Sequence, residues 1–172
     1  MIITEAVSAN SVNGPRCRVT SIDPYPPEEL FAKTLWPVEI LRERVQNVAQ
    51  SVFSELKSGD VLFIDSSHVC RIGSDVHFEF LEVLPRLAPG VVIHIHDIFL
   101  PLDYPKEWVV SRHRFWNEQY LLQAFLCGNR DFEVIWGGAW LHHYHPDRLV
   151  AGFPSYDPKK NIPASFWIRK LR

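Results

Sequence analysis

In Asp60-Val61-Leu62-Phe63-Ile64-Asp65-Ser66-Ser67-His68 an apolar run stops abruptly at an acid, two hydroxyls and an imidazole. Four apolar residues between turn-forming neighbours read as a buried strand. The pattern returns in Gly90-Val91-Val92-Ile93-His94-Ile95-His96-Asp97. Two strands therefore deliver Asp and His at their carboxyl ends. In open α/β sheets ligands bind in the crevice outside those ends. Carboxylates and imidazoles next to a core need partners, a metal or a chemical task.

Working outward, the residues from Ala49 show apolar positions at Ala49, Val52, Phe53 and Leu56, the stripe of an amphipathic helix closed by Ser58-Gly59-Asp60. A second stripe, Val76, Phe80, Val83, Leu84 and Leu87, follows the first strand, with Ser74 as its cap. Pro85 lies inside it and is expected to kink it or end it early. Upstream, residues 2–10 read as a helix, Asn13-Gly14-Pro15 as a turn, and 16–22 as a strand stopped by Asp23-Pro24-Tyr25-Pro26-Pro27. Val38 to Val48 reads as a helix followed by a short strand near Arg44–Val48. Downstream, Leu100 to Trp116 is irregular, and Asn117 is the expected cap of a helix burying Tyr120, Leu121, Ala124 and Phe125. Residues 132–136 and 165–169 read as strands with an irregular, His-rich link between them. Strands alternating with helices predict an α/β fold with a mostly parallel sheet. The short link before the last strand predicts that this strand is antiparallel, at or near an edge.

The bulk properties narrow the function classes. The chain has 172 residues, 47% hydrophobic and 22% charged, which suits one globular domain, expected over 1–172. A net charge of −2 gives no electrostatic case for a nucleic-acid partner. No apolar run reaches the roughly 18 residues of a membrane helix, so no membrane partner is expected. Cys17, Cys70 and Cys127 form no CxxC pair, so they read as reduced thiols of a cytoplasmic protein.

These landmarks together resemble the class I S-adenosylmethionine-dependent methyltransferases, in particular their small-molecule O-methyltransferase branch. Three segments carry the likeness: Thr20-Ser21-Ile22-Asp23-Pro24-Tyr25-Pro26, Phe63-Ile64-Asp65-Ser66-Ser67-His68, and Leu87-Ala88-Pro89-Gly90-Val91-Val92-Ile93-His94-Ile95-His96-Asp97. Trp116-Asn117-Glu118-Gln119-Tyr120-Leu121-Leu122 and Ser165-Phe166-Trp167-Ile168-Arg169-Lys170 also fit. The resemblance implies a Rossmann-like methyltransferase sheet and S-adenosylmethionine as cofactor. It implies that Asp23 holds the ribose, with Asp65 also on the cofactor side. It further implies methyl transfer to an oxygen of a small molecule. Asp65, His96 and Asp97 are then candidate ligands of magnesium or manganese, which would lower the pKa of a substrate hydroxyl. His68 and His96 are candidate catalytic bases.

The family opens with a strand and a Gly-rich turn, whereas here the first glycine, Gly14, follows the helix-like IITEAVSAN. The chain is therefore expected to lack that first strand. Such a gap is expected to be closed by pairing of the strands at 16–22 and 61–65, or relieved by forming a homo-oligomer. Two other classes compete with the enzyme: a non-catalytic methyltransferase-like binding module, and a metal-dependent hydrolase using the Asp/His corner.

Plainer readings stand beside each site. Asp23 can be a turn-former that accepts amide bonds. His94 shares a strand face with His96 and reads as a satisfied core histidine. His142, His143 and His145 read as a solvated loop. Trp108, Trp116, Trp136 and Trp140 could floor a substrate pocket, though aromatics usually pack in cores.

Overall fold

A computed structural model describes residues 2–10, 14, 17–27, 38–160 and 162–172. They belong to two compact units, Met1–Val48 and Ala49–Arg172.

The first unit holds helix α1 (Ile2–Asn10) and strands β1 (Val19–Ile22) and β2 (Val38–Leu41). The strands pair in parallel, from Val19 opposite Val38 to Ile22 opposite Leu41. The reading of residues 38–48 is reversed: the strand comes first and a single 3-10 turn, Val45–Asn47, follows. Val38-Glu39-Ile40 alternates with β-branched residues, and Thr20 Oγ1 donates to Glu39 across the pair at 3.2 Å. After it, Glu43 Oε1 accepts from Arg44 N and Asn47 Nδ2 at 2.8 and 2.9 Å, a local bond set that competes with any ladder. Of the Asn13-Gly14-Pro15 turn only Gly14 lies within the described residues, as does the strand at 16–22 only from Cys17 onward.

The second unit runs α2 (Gln50–Ser54), β3 (Val61–Ile64), α3 (Asp75–Arg86), β4 (Val92–Ile95), α4 (Lys106–Val110), α5 (Glu118–Leu126), β5 (Phe132–Gly137), α6 (Gly138–Tyr144), α7 (Pro146–Gly152) and β6 (Phe166–Lys170). Its four strands lie in the order β3-β4-β6-β5. β3 and β4 are parallel, with α3 as the crossover between them, and β6 runs antiparallel to both β4 and β5. Three strands thus point one way and β6 the other, the expected mixed α/β sheet. As expected of a strand near an edge, β6 lies second from it, next to β5, with Ile168 fully buried and pairing on both sides. One detail before β6 differs. The link before it is not irregular: it contains α6 and α7, two turns of helix separated at His145, with Pro146 opening the second. Within the first unit β1 pairs with β2.

The core matches the predicted α3 stripe. Val76, Phe80, Val83, Leu84 and Leu87 are all buried, as are Val91, Ile93 and Ile95 of the β4 segment and Ile168 of β6. Ser74 caps α3 by accepting from His77 N at 3.2 Å. Pro85 acts as expected. Lacking an N–H, it cannot continue the ladder, and the helix widens to a π turn over Glu79–Val83 and tightens to a 3-10 turn over Leu84–Arg86. The face of α5 differs from expectation. Glu118, Gln119 and Leu122 are buried, while Ala124 and Tyr120 are exposed. Gln119 is inside because it works there: its Oε1 accepts from Phe99 N at 3.0 Å and its Nε2 donates to Leu102 O at 3.1 Å. It thereby anchors the long segment after β4 to α5.

Gly90 makes the turn that launches β4. Its φ is +87°, and an added Cβ would lie 2.1 Å from Ser58 Oγ and 2.9 Å from Ser58 Cα. Gly90→Ala is therefore expected to destabilise the chain by at least about 1–2 kcal/mol, visible as a lower denaturant midpoint at unchanged slope.

Candidate active site

The turn after β3 places His68 in the left-handed region, at φ +59°, where a non-glycine residue is uncommon. The turn is held from several sides. Ser67 N and Oγ donate to Asp75 at 2.8 and 2.6 Å, and Ser66 Oγ donates to Glu79 at 2.8 Å. His68 O accepts from Asn117 N and Glu118 N at the start of α5, at 3.0 and 3.3 Å. Asn117 is the cap position by sequence, but its side chain does other work. Its Oδ1 accepts from Cys70 N at 2.6 Å and its Nδ2 donates to Cys70 O at 3.2 Å. α5 is thus stapled to the β3 turn.

The staple brings Glu118 against His68, with Oε2 2.7 Å from Nδ1. Glu118 is fully buried and its Oε1 has no hydrogen-bond partner among the described residues. On the other side, His68 Nε2 lies 3.3 Å from Asp65 Oδ1. The Trp116 indole covers the imidazole at 4.1 Å between centroids. Burial draws the His68 pKa down, but the bonded Glu118 carboxylate, with Asp65 and Asp97 nearby, more than offsets this and the net shift is upward. Burial pushes the Glu118 carboxyl up while its bond to His68 opposes the rise. The two share a proton and titrate as a unit. Glu118 was not foreseen from sequence. An acid in a helix's first turn reads equally well as a favourable partner of the helix dipole.

At the end of β4, His94 is buried as expected, but its Nδ1 has no hydrogen-bond partner among the described residues. Phe63 stacks on it at 4.2 Å and Trp167 packs at 4.6 Å. Burial, reinforced by the neighbouring His96, lowers its pKa to about 4. His96 is half-exposed, its Nδ1 3.5 Å from Asp65 Oδ1 and 3.3 Å from Asp97 Oδ1.

Asp65, His68, His96 and Asp97 therefore do converge, but not as a metal site. Among the described residues no group of three or more His, Cys, Asp or Glu side chains is disposed to hold an ion. The His96 ring itself lies close to both carboxylates, and His68 Nδ1 is committed to Glu118. The corner does not fit the magnesium or manganese that the resemblance suggested for Asp65, His96 and Asp97.

Asp23 ends β1 in the first unit. Its N donates to Leu41 O at 3.1 Å and its Oδ1 accepts from Tyr25 N at 2.8 Å, the turn-forming arrangement.

The segment after β4 adds an aromatic wall. Trp108 and Trp116 meet nearly at right angles, 5.3 Å apart, and pack on Phe99 and Tyr104. Arg114 sits in their corner, 4.7 and 4.8 Å from the two ring centres. An apolar cleft of about 430 Å³ opens farther along the sheet, lined by Leu100, Pro101, Trp136, Trp140, Leu141 and Phe166 among others. It carries no titratable group, so it can seat an apolar body but the chemistry belongs to the His68 corner. The register joins the two: Phe166 is paired with both Ile95 and Gly137, so cleft and corner lie at the same end of the strands. His142 and His143 are on α6, with His142 Nδ1 2.7 Å from the Tyr156 hydroxyl, and not in a loop.

No helix among the described residues is long and apolar enough to cross a membrane. No curated protein matches the chain. In fold it is similar to the plantazolicin methyltransferase BpumL, solved in complex with a triazolic desmethylPZN analog and SAH. That match has a TM-score of 0.53 and 16% identity, and covers 96% of this chain and 72% of that one. A family model described as a methyltransferase domain matches residues 1–98, more than half of the sequence. The chain belongs to that family, the class I S-adenosylmethionine-dependent methyltransferases.

Proposed function

We propose that the chain transfers a methyl group from S-adenosylmethionine to a hydroxyl oxygen of a small molecule, with His68 as general base. The observation that carries this reading is the His68–Glu118 pair at the carboxyl end of β3, a base oriented by a buried acid. S-adenosylmethionine, when bound, supplies an electrophilic methyl group on a sulfonium sulfur. With Nδ1 donating to Glu118, Nε2 of His68 is the nitrogen that takes the hydroxyl proton. Glu118 offsets the charge His68 then gains. Asp65, beside Nε2, and His96, half-exposed between two carboxylates, bind and orient the acceptor. Most of the acceleration comes from holding the acceptor oxygen in line. No step uses a metal.

Asp23 supplies the ribose-binding carboxylate in this reading: acceptor oxygens at the end of a parallel strand suit a vicinal diol. Asp23→Asn keeps an acceptor for Tyr25 N but removes the charge. Calorimetry is expected to show S-adenosylmethionine binding weakened about tenfold or more. Unchanged affinity takes Asp23 out of the cofactor site. Transfer from methyl-labelled S-adenosylmethionine is expected to give a methyl ether by NMR. A product labelled on nitrogen or sulfur overturns the oxygen acceptor.

A further inference from the structure

Arg114 is joined to the His68 corner through Trp116, and among the described residues it is held there without a counter-charge. Arg112, two residues earlier, is neutralised by Glu107, which accepts from its Nη2 at 2.8 Å. Arg114 is different. Among the described residues no carboxylate pairs with its guanidinium and no acceptor takes its side-chain N–H groups. Its contacts are the two indole rings and one backbone bond, from its N to Trp108 O at 2.9 Å. Both indoles lie to one side of the guanidinium carbon, their centres 5.3 Å from each other, so the rest of the fork and its N–H groups stay available for hydrogen bonding. The mounting is rigid. Trp116 is fixed by stacking on His68 and by Tyr104, whose hydroxyl accepts from Gln119 N at 3.2 Å. Trp108 is fixed by Phe99, whose N donates to Gln119 Oε1 at 3.0 Å. One ring, Trp116, touches both the base and the cation. The corner itself collects acids, Asp65, Asp97 and Glu118, which repel an anion, so a negatively charged group of the acceptor is drawn to Arg114 and away from them.

We infer that Arg114 is the specificity residue of the acceptor site, and that the acceptor is an anionic hydroxyl compound whose carboxylate or phosphate docks on the Arg114 fork while its hydroxyl meets His68. This rests on the proposed methyl transfer for the meaning of the site, but the charge preference can be read as binding alone. A planar fork fits either anion bidentately, so both are tested.

The probes are glucuronate and glucose 6-phosphate, each against glucose, which absorb too little to disturb Trp108 and Trp116 fluorescence. They are titrated into the wild-type chain, Arg114→Gln and Arg114→Lys, by fluorescence and calorimetry. Thermal midpoints are recorded to show that all three chains are folded. The expected result is wild-type binding of at least one anion about tenfold or more tighter than glucose. That preference is lost in Arg114→Gln and only partly kept in Arg114→Lys, which retains charge but not the fork. Preference for glucuronate over glucose 6-phosphate, or the reverse, identifies the anion. Equal affinity for anions and glucose, no saturable anion binding, or full preference in folded Arg114→Gln overturns the inference. S-adenosylmethionine binding is measured in parallel. If it holds while anion preference fails, only the acceptor assignment falls; if it fails while Arg114 still selects anions, the methyl-transfer reading falls instead.

Discussion

Replacing His68 by glutamine is expected to lower the methyl-transfer rate by about a hundred- to ten-thousandfold with S-adenosylmethionine affinity unchanged, the loss that follows removal of a positioned general base. Glutamine keeps a donor for Glu118 but cannot take a proton. The pH profile separates a base from a mere wall of the pocket. In the wild type the rate rises with pH as His68 loses its proton, and the limb lies above the ordinary histidine value, because the bonded carboxylate outweighs burial. Glu118→Gln retains the bond partner and removes the charge. Burial then dominates, so the limb moves to lower pH, and the maximal rate falls because the imidazolium is no longer offset. A limb that stays in place in Glu118→Gln, or a His68→Gln variant with near wild-type rate, transfers the role to His96. His96→Gln then becomes the variant that loses activity.

Much of the frame was readable because it rests on short-range pattern. β3 and β4 are contiguous apolar runs that end in Asp and His, and the α3 stripe repeats at helical spacing with Ser74 at its head. Pro85 signals its own disturbance. The corner was readable to the same depth: Asp65, His68, His96 and Asp97 were found because a strand end is a fixed address. What was not readable is what comes from elsewhere in the chain. Glu118 reaches His68 across 50 residues, and nothing local distinguishes it from an exposed first-turn acid. Gln119 is hidden for the same reason, being polar at a position where only a partner explains burial. The metal assignment was not decidable from sequence, because the same residue types serve equally as an ion cage or as a hydrogen-bonded base, and only geometry chooses. The helices before the last strand were missed because α6 and α7 span only seven residues each, too short to show a stripe, and α6 is rich in Trp, His and Tyr.

Glu79 carries the second large expectation, a stability that depends on pH through one buried acid. It opens the π turn of α3, is almost wholly buried, and accepts from Ser66 Oγ at 2.8 Å. Burial raises its pKa, with the charges of Glu118 and Asp75 adding to the rise and the Ser66 bond opposing it, to about 8 against an ordinary 4.5. The direction of the linkage follows from proton counts. Below 4.5 both folded and unfolded chains hold the proton and stability is insensitive to it. Between 4.5 and about 8 the folded chain keeps a proton that the unfolded chain releases, so stability falls as pH rises. At roughly 1.4 kcal/mol per unit, the loss across that window is on the order of 5 kcal/mol. Glu79→Gln keeps the shape and the acceptor for Ser66 but does not titrate. It is expected to match the wild type near pH 4 and to become progressively more stable than it toward pH 8. Denaturant midpoints at several pH values check this, and the difference between the two chains removes the shared contribution of His68 and Glu118. A difference that does not grow with pH would mean that Glu79 is ionised in the folded core. The added charge would then push the neighbouring Glu118 carboxyl further up, and His68 would hold its proton more firmly.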